Sequence, residues 1–292
     1  MTDGVTRVGS APQVGDTPRA SAEWLGLREP ADAAARASGL LGPVRRHLAA
    51  TASTAPGAPT VIHDLGSGTG SMGRWLAPRL PGAQHWIMYD RDADLLGHAM
   101  AEMVDTAADG VPVTVETRQR DITRLTPGDL DGAALITASA LLDMLTAAEV
   151  DRMVAACAGA GCPALLTLSV IGRVELTPAE PLDAEIAAAF NAHQRRTVGD
   201  RTLLGPDAVE AAVEAFARRG VGVLVESSPW RLGAGLGELI SVWFKGWLAA
   251  ACEQRPELAG PAAGYARRRL AALAAGELEV AVWHSDLLAG CE

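Results

Sequence analysis

A run of glycines at alternate positions carries the strongest chemical signal in this chain. It reads Asp64-Leu65-Gly66-Ser67-Gly68-Thr69-Gly70 and follows an apolar stretch that begins at Thr60. Glycine adopts positive φ and lets a ligand approach the backbone closely. A helix predicted to begin at Ser71 would present unpaired N–H groups in its first turn. The pattern therefore predicts a ligand-binding loop between a buried strand and a helix.

Two kinds of ligand fit such a loop. A dinucleotide cofactor uses GxGxxG, which is present as Gly68-Thr69-Gly70-Ser71-Met72-Gly73 and places a pyrophosphate on the helix N-terminus. The other pattern is an acidic residue followed by GxGxG, and it begins at Asp64. In the dinucleotide fingerprint the first glycine follows the strand closely, a place that Gly66 occupies here. The dinucleotide pattern therefore begins at Gly68, two residues later than the end of the strand requires.

Acidic and polar residues follow the next predicted strands. Asp90 ends the second strand, twenty residues after Gly70, and a carboxylate at this point accepts both ribose hydroxyls of either cofactor. Asp121-Ile122 follows the third strand, and the segment 137–145, which contains Ser139, follows the fourth. Ligands of parallel α/β sheets bind beyond the carboxyl ends of the strands, so these residues are candidates for one site.

These segments, in this order, resemble the class I (Rossmann-like) family of S-adenosylmethionine-dependent methyltransferases of the small-molecule type. The resemblance covers residues 60–170. It implies S-adenosyl-L-methionine as the cofactor. It also implies methyl transfer to O, N or C of a small metabolite, which yields S-adenosylhomocysteine.

The same resemblance assigns roles to the cofactor-binding residues. The glycine loop packs against the amino-acid portion of the cofactor, and Asp64 contacts its ammonium directly or through water. Asp121 bonds the adenine amino group, and Ile122 packs on the ring. Arg28 lies in a segment similar to an N-terminal lid helix, and its guanidinium suits the cofactor carboxylate. The expected cofactor-binding residues are Arg28, Asp64, Gly66, Ser67, Gly68, Thr69, Gly70, Asp90, Arg91, Asp121, Ile122 and Ser139.

A general base is useful if the methyl acceptor is a hydroxyl or an ammonium, whereas a carboxylate or a neutral amine needs none. His193 is the first candidate because imidazole titrates near neutrality. Asp143 is the second, since related enzymes often carry a polar residue near the transferred methyl group. The alternative for Asp143 is a cap for the helix that begins nearby.

Four residues are candidates for substrate binding. Phe190 and Gln194 share a helical face with His193, in an insertion that can roof the site. Arg173 follows the fifth strand and suits an acidic substrate, although a surface arginine is the simpler interpretation. Trp230 ends a later strand. None of the four cysteines forms a CxxC pair or shows metal spacing, so no metal site is predicted.

Short apolar runs alternate with helical stretches, which predicts an α/β fold with helices on both faces of a mostly parallel sheet. We expect seven strands, and the resemblance implies that the last, near 277–284, is antiparallel. The expected organisation is a disordered N-terminus (1–18), N-terminal helices that form a lid (19–58) and a methyltransferase domain (59–292). Substrate-cap insertions are expected at 171–205 and 228–276. A helix is expected to begin at Pro30 and to continue through residues 31–37.

Charge and hydropathy limit the partners. The net charge is −10, whereas a duplex-binding protein usually shows a basic stripe, so we expect a small-molecule substrate and no nucleic acid. The N-terminus lacks the apolar segment of a signal peptide, and no apolar run approaches the ~20 residues of a membrane span. These features predict a cytoplasmic protein without a membrane partner. The sequence leaves open whether it is a monomer or a homodimer.

Two alternative functions stay open. An NAD(P)-dependent oxidoreductase is weakened by the late glycine register and by the lack of a Tyr-x-x-x-Lys pair, because Lys245 is the only lysine and no tyrosine precedes it by four residues. A non-catalytic S-adenosylmethionine-binding regulator would share every cofactor motif. Sequence alone does not separate it from an enzyme.

Overall fold

The computed structural model describes residues 20–52 and 57–291, so the predicted disordered segment 1–18 lies outside the described residues. The helices are α1 (Ala22–Ala35), α2 (Leu41–Ala52), α3 (Ser71–Leu76), α4 (Ala93–Glu102), α5 (Ala147–Gly159), α6 (Asp183–Gln194), α7 (Ala208–Ala217), α8 (Gly237–Gln254) and α9 (Ala259–Ala274). The strands are β1 (Thr60–Leu65), β2 (Gln84–Asp90), β3 (Val113–Gln119), β4 (Leu135–Ser139), β5 (Ala164–Thr177), β6 (Thr197–Val198), β7 (Arg201–Thr202), β8 (Val223–Ser227), β9 (Trp230–Leu232) and β10 (Glu279–Ala289).

The main sheet has the order β3-β2-β1-β4-β5-β10-β8, and β9 pairs with the first part of β10. Strands β1 to β5 run parallel, while β10 is antiparallel to β5, β8 and β9. The predicted fold class and the antiparallel last strand are confirmed. The carboxyl ends of β1 to β4 therefore meet at one edge of the sheet, where ligands of such folds bind.

The sheet has eight strands instead of the seven expected. The additional strand is β9, at the start of the predicted second insertion. Pro229 separates it from β8. Proline lacks the N–H that a continuous strand would donate to its neighbour, so the chain breaks its pairing there and resumes along another part of β10.

Helix α1 begins eight residues before Pro30, so the predicted start of this helix is wrong. Ser21 caps it, because Ser21 Oγ accepts a hydrogen bond from Trp24 N at 3.1 Å. Pro30 lies inside the helix, where its missing N–H leaves the carbonyl of Gly26 without a helical donor. Gly26 is exposed to solvent, so water can satisfy that carbonyl.

Three apolar clusters hold the layers together. Leu65 of β1 belongs to the cluster under α5 and α7, and Ile62 of the same strand belongs to the cluster under α2, α3 and α4. Alternate strand residues point to opposite faces, so β1 is covered on both sides. The third cluster joins α6, α8 and α9 and includes the buried side chains of Phe244, Trp247 and Tyr265. The two predicted insertions therefore form one helical cap.

No helix within residues 20–52 and 57–291 combines the length and the apolar character needed to cross a membrane.

Candidate functional site

A cavity of about 490 Å³ lies at the carboxyl edge of the sheet. This volume is within the range of about 300–1,000 Å³ typical of small-molecule sites. Its wall combines the glycine loop, the segments after β2, β3 and β4, one face of α1, and residues of the cap. The structure thus brings together segments that are far apart in the chain.

The glycine loop forms one side of this cavity. Gly66, Gly68 and Gly70 have φ values of +64°, +53° and +84°, a region that side-chain-bearing residues rarely adopt. A β-carbon on Gly68 would lie 3.0 Å from Leu25 Cδ1, and one on Gly66 would lie 3.1 Å from Leu141 Cδ1. Both leucines line the cavity, so larger residues in the loop would crowd its wall.

Asp90 orders this loop. Its Oδ2 accepts a hydrogen bond from Gly68 N at 2.9 Å, and its Oδ1 accepts one from Asp92 N at 2.9 Å. Each oxygen of an ionised carboxylate has room for a second donor. Asp90 can therefore hold the loop and still accept two hydroxyls from a bound ribose.

Asp64 is the most deeply buried acidic side chain of the cavity wall, with 1% of its surface exposed. Its Oδ1 accepts a hydrogen bond from Thr137 Oγ1 at 2.7 Å, and its Oδ2 has no hydrogen-bond partner. Burial raises the pKa of Asp64 to about 7. A buried carboxylate with an unused oxygen is costly unless it is paired, so this site favours a cationic group of a ligand.

Arg36, which the sequence analysis missed, lies behind the cavity lining and contacts two of its residues. Its guanidinium is buried, and its Nη2 donates to Ser71 Oγ at 3.1 Å and to Ser139 Oγ at 3.2 Å. Its Nε and Nη1 have no partner, and Ser67 Oγ is buried without one as well. The charges of Arg36 and Asp64 interact. Unpaired donors and an unpaired acceptor therefore lie around the same loop, as a zwitterionic amino-acid group requires.

Arg28, which the sequence assigned to the cofactor carboxylate, is already engaged. Its Nε lies 2.9 Å from Asp32 Oδ2, and its Nη2 lies 3.2 Å from Asp32 Oδ1. Its guanidinium carbon is 5.0 Å from the ring centroid of Trp230. Arg28 lines the cavity, but its contacts place it beside the cap.

The segment after β3 also reaches the cavity. Asp121 and Ile122 both line it, with Arg91 and Arg120 nearby on the same wall. Asp121 Oδ1 accepts hydrogen bonds from Thr123 N at 3.0 Å and Thr123 Oγ1 at 2.7 Å. Asp121 therefore caps a short turn, and its side chain is exposed enough to accept a further donor.

The backbone around the ends of β4 and β5 is strained. Ala140 has φ of +52° and Leu168 has φ of +56°, and both residues line the cavity. Such conformations cost on the order of 1–3 kcal/mol each and cluster at ligand sites. Asp286 helps to hold the second one, because its Oδ1 accepts a hydrogen bond from Leu168 N at 2.7 Å.

Asp143 lies in the cavity wall on a short turn between β4 and α5. Burial raises the pKa of this carboxyl to about 6, while the positive charge of Arg28 opposes the shift. The alternative role as a helix cap is wrong, because Thr146 caps α5 and its Oγ1 accepts from Glu149 N at 3.2 Å. Asp143 is therefore ionised at neutral pH and able to accept a proton.

His193 lies outside the cavity lining, although Phe190 and Gln194 of the same helix belong to it. Its Nε2 is 3.4 Å from Glu253 Oε2, and burial lowers the pKa of the imidazole. Successive helical residues are rotated by about 100°, so His193 turns toward α8 when Gln194 faces the cavity. The first candidate for the base is thus not brought into the site.

Arg173 is also directed away from the cavity. Its guanidinium carbon lies 4.2 Å from the ring centroid of Trp283, and its Nε donates to Glu175 Oε1 at 2.8 Å. Val174 lines the cavity instead. Strand β5 continues past Val170 to Thr177, and successive strand residues point to opposite faces. Arg173 and Val174 therefore face opposite sides, and it is Val174 that faces the cavity.

The cap side of the wall contains Trp230 and a histidine that the sequence analysis left without a role. Trp230 is buried, and its Nε1 donates to Asp32 Oδ1 at 2.9 Å. His284 of β10 lies against it, with ring centroids 5.5 Å apart, and its Nδ1 has no partner. Val282 and His284 are two residues apart on the last strand, so they share one face. This spacing is the sequence feature that could have identified His284 as a cavity residue.

Among the described residues, no group of three or more His, Cys, Asp and Glu side chains is arranged to hold a metal ion.

No family model matches the chain, and no curated protein matches it. Among solved structures, it is similar to a protein studied for the conversion of a disulfide bond into a thioacetal group during echinomycin biosynthesis, with 16% identity and a TM-score of 0.41 over 84% of this chain and 80% of that one. It is similar to magnesium protoporphyrin IX methyltransferase from Synechocystis PCC 6803 with bound SAH, with 14% identity and a TM-score of 0.39 over 65% and 77% of the two chains. It is also similar to the cyclopropane synthase MmaA2 from Mycobacterium tuberculosis, with 12% identity and a TM-score of 0.44 over 85% and 83%.

These likenesses concern the fold. The class is defined by the sheet itself: the chain is a Rossmann-like α/β protein with a ligand cavity at the carboxyl edge of its parallel strands.

Proposed function

We propose that this protein is a class I S-adenosylmethionine-dependent methyltransferase that acts on a small molecule. The observation that carries the proposal is the pair of unused polar groups at the glycine loop. Asp64 offers a buried, unpaired carboxylate oxygen in the cavity lining, and Arg36, directly behind the lining residues Ser71 and Ser139, has guanidinium nitrogens without hydrogen-bond partners. Together they match the ammonium and the carboxylate of an amino acid, which is one end of S-adenosylmethionine.

The other end of the cofactor also has suitable partners. Asp90 can accept the ribose hydroxyls, and Asp121 with Ile122 can accept and cover the adenine. A dinucleotide fits less well, because its pyrophosphate would bring two negative charges to a loop that already faces Asp64 and Asp90. The net negative charge of these residues favours a cationic sulfonium over an anionic phosphate.

When bound, S-adenosylmethionine supplies a methyl group on a sulfonium, whose carbon–sulfur bond breaks as the bond to the acceptor atom forms, leaving neutral S-adenosylhomocysteine. The protein's own residues position the acceptor and remove its proton. Asp143 is the base in this proposal and takes the proton from an acceptor O–H or N–H. Helix α1 and the cap cover the cavity, which limits competition from water.

A small acceptor is favoured because the cavity is bounded by α1 on one side and by the α6 and α8 residues of the cap on the other. The net charge of −10 disfavours a nucleic acid. A cytoplasmic location, a monomeric or homodimeric state and the domain limits from the sequence analysis stay predictions.

Thermal-shift titrations with S-adenosylmethionine, S-adenosylhomocysteine, NADH and NADPH, run in parallel, test the proposal. A ligand at a hundred times its dissociation constant adds about 2.7 kcal/mol to the free energy of unfolding. This corresponds to a rise of several degrees in Tm for a domain of this size. We expect that rise with the two adenosyl ligands only.

A rise with NADH or NADPH and none with the adenosyl ligands would refute the methyltransferase proposal. A non-catalytic regulator would show the adenosyl shift but would release no S-adenosylhomocysteine from S-adenosylmethionine with any acceptor of a broad screen.

A further inference from the structure

Aromatic side chains are concentrated on one part of the cavity wall. The chain has twelve Trp, Tyr and Phe residues, and four of them line this single cavity. They come from four separate elements: Trp24 from α1, Phe190 from α6, Trp230 from β9 and Trp243 from α8. In a chain with 4% aromatic residues, such convergence marks a surface for a flat apolar ligand, because aromatic rings stack on one another.

The residues between these rings are aliphatic. Leu168, Val170 and Val174 of β5 and Val282 of β10 complete this part of the wall. Trp230 is fixed by its hydrogen bond to Asp32, and Trp243 is stacked on Trp247 with ring centroids 5.4 Å apart. The aromatic faces are therefore held in place before a ligand binds, which lowers the entropic cost of binding.

The polar groups on this part of the wall are few and carry little net charge. Burial lowers the pKa of His284 to about 3, so its imidazole is neutral across the physiological range. His284 Nδ1 and Gln194 Oε1 are buried without hydrogen-bond partners. The positive charge of Arg28 is offset by Asp32. Asp143 also lines the cavity, and its carboxylate forms no ion pair with Arg28.

We propose that the aromatic wall, together with His284 and Gln194, is the acceptor subsite and that it takes a neutral, flat aromatic molecule that carries a hydroxyl. This inference rests on the proposed function, which places the methyl donor in the remainder of the cavity. The rings stack on the acceptor, and the hydroxyl donates to a neutral acceptor atom of the wall. This hydrogen bond holds the acceptor before reaction, and during methyl transfer the same proton passes to Asp143, the base of the proposed function; a phenol gives up this proton more readily than an aliphatic alcohol, which is a much weaker acid.

The test uses the full chain saturated with S-adenosylhomocysteine and follows binding by titration calorimetry. The probes are 2-naphthol, naphthalene, cyclohexanol and 2-naphthoate. We expect 2-naphthol to bind at least tenfold more tightly than each of the other three. Tighter binding of 2-naphthoate would overturn the inference of a neutral acceptor, and equal binding of cyclohexanol would overturn the aromatic subsite.

Variants locate the binding surface. Trp243→Ala should weaken 2-naphthol at least tenfold, and the milder Phe190→Leu should weaken it about threefold. The affinity for S-adenosylhomocysteine should change less than twofold in both. Trp283→Ala is the matched control, because Trp283 precedes His284 on β10 and packs under Arg173, outside the cavity lining. It should leave 2-naphthol binding unchanged.

His284→Phe keeps a ring of similar shape but removes the imidazole nitrogens. It should abolish most of the preference for 2-naphthol over naphthalene. An unchanged preference in both His284→Phe and Gln194→Leu would overturn the assignment of the hydroxyl partner. If S-adenosylhomocysteine itself does not bind, the proposed function fails. If it binds and 2-naphthol does not, only the acceptor inference fails.

Discussion

Thr137 Oγ1 donates a 2.7 Å hydrogen bond to Asp64 Oδ1, and Oδ2 of the same buried carboxylate remains without a partner. The two residues are direct neighbours across the β1–β4 pairing. This bond fixes the orientation of the carboxylate, so its unused oxygen is already placed for a cationic donor. A carboxylate oriented in this way serves recognition at the expense of stability, because its desolvation disfavours the charged form.

Asp64→Asn should weaken S-adenosylhomocysteine binding by about ten- to a hundredfold, because a hydrogen bond between charged groups contributes about 1.5–3 kcal/mol. The affinity for 5′-methylthioadenosine, which lacks the amino-acid portion, should not change. Calorimetric titration of both ligands measures the difference. Asp131→Asn, at an exposed position, is the control. An equal loss for both ligands would contradict the assignment of Asp64 to the ammonium.

The pH dependence of cofactor binding follows from the same carboxyl. The pKa of Asp64 is raised to about 7 in the folded protein without ligand, and only the ionised form attracts an ammonium. The dissociation constant of S-adenosylhomocysteine should therefore rise by up to tenfold for each pH unit below 7 and level off above it. The Asp64→Asn variant should show no such rise. A wild-type affinity that is constant between pH 5.5 and 8 would contradict this prediction.

The effect of Asp64 on the free energy of unfolding depends on pH in the opposite direction to its effect on cofactor binding. Its folded pKa is higher than its unfolded pKa, so the proton is bound more tightly in the folded state. This contribution to the free energy of unfolding is present at acid pH and is lost as the pH rises from about 4 to about 7. The full difference is on the order of 4 kcal/mol. Asp64→Asn should therefore raise Tm at pH 8 and have little effect at pH 4.

Arg36→Met should weaken S-adenosylhomocysteine binding at least tenfold and spare 5′-methylthioadenosine, since its guanidinium contacts Ser71 directly after the glycine loop and has two nitrogens without hydrogen-bond partners. Arg36→Lys, which keeps the charge, separates this effect from any loss of folding. The matched control is Arg28→Met, which removes a guanidinium bound to Asp32 and should change the affinity less than threefold. A larger loss for Arg28→Met would restore the sequence-based assignment.

Asp143→Asn should lower kcat by about a hundred- to ten-thousandfold with a hydroxyl acceptor, because it removes the proposed general base. The affinity for S-adenosylhomocysteine should stay within twofold. The wild-type rate should rise with pH to a plateau above an apparent pKa near 6, since the ionised carboxyl is the active form. His193→Ala, with a side chain outside the cavity lining, should leave rate and pH profile unchanged.

The predicted secondary structure and the observed one agree where local pattern decides. Strand β1 begins at Thr60 and helix α3 begins at Ser71, as the sequence predicts, because apolar periodicity and turn residues act over short distances. β5 and β10 run several residues beyond their predicted ends. Each strand continues because the other supplies a pairing partner. This pairing joins segments that are far apart in the chain, so the local pattern of either segment does not predict it.

The sequence by itself determined the fold class and the glycine loop with its acidic companions. Glycine spacing, strand alternation and the position of a residue after a strand are local properties of the chain. The tertiary structure alone decided which polar side chains share the cavity. His284 enters it, whereas His193 and Arg173 do not, because burial and the facing of a side chain depend on how distant elements pack. The packing of α6 against α8 turns Gln194 toward the cavity and His193 away from it, and the pairing of β10 with β9 brings His284 against Trp230.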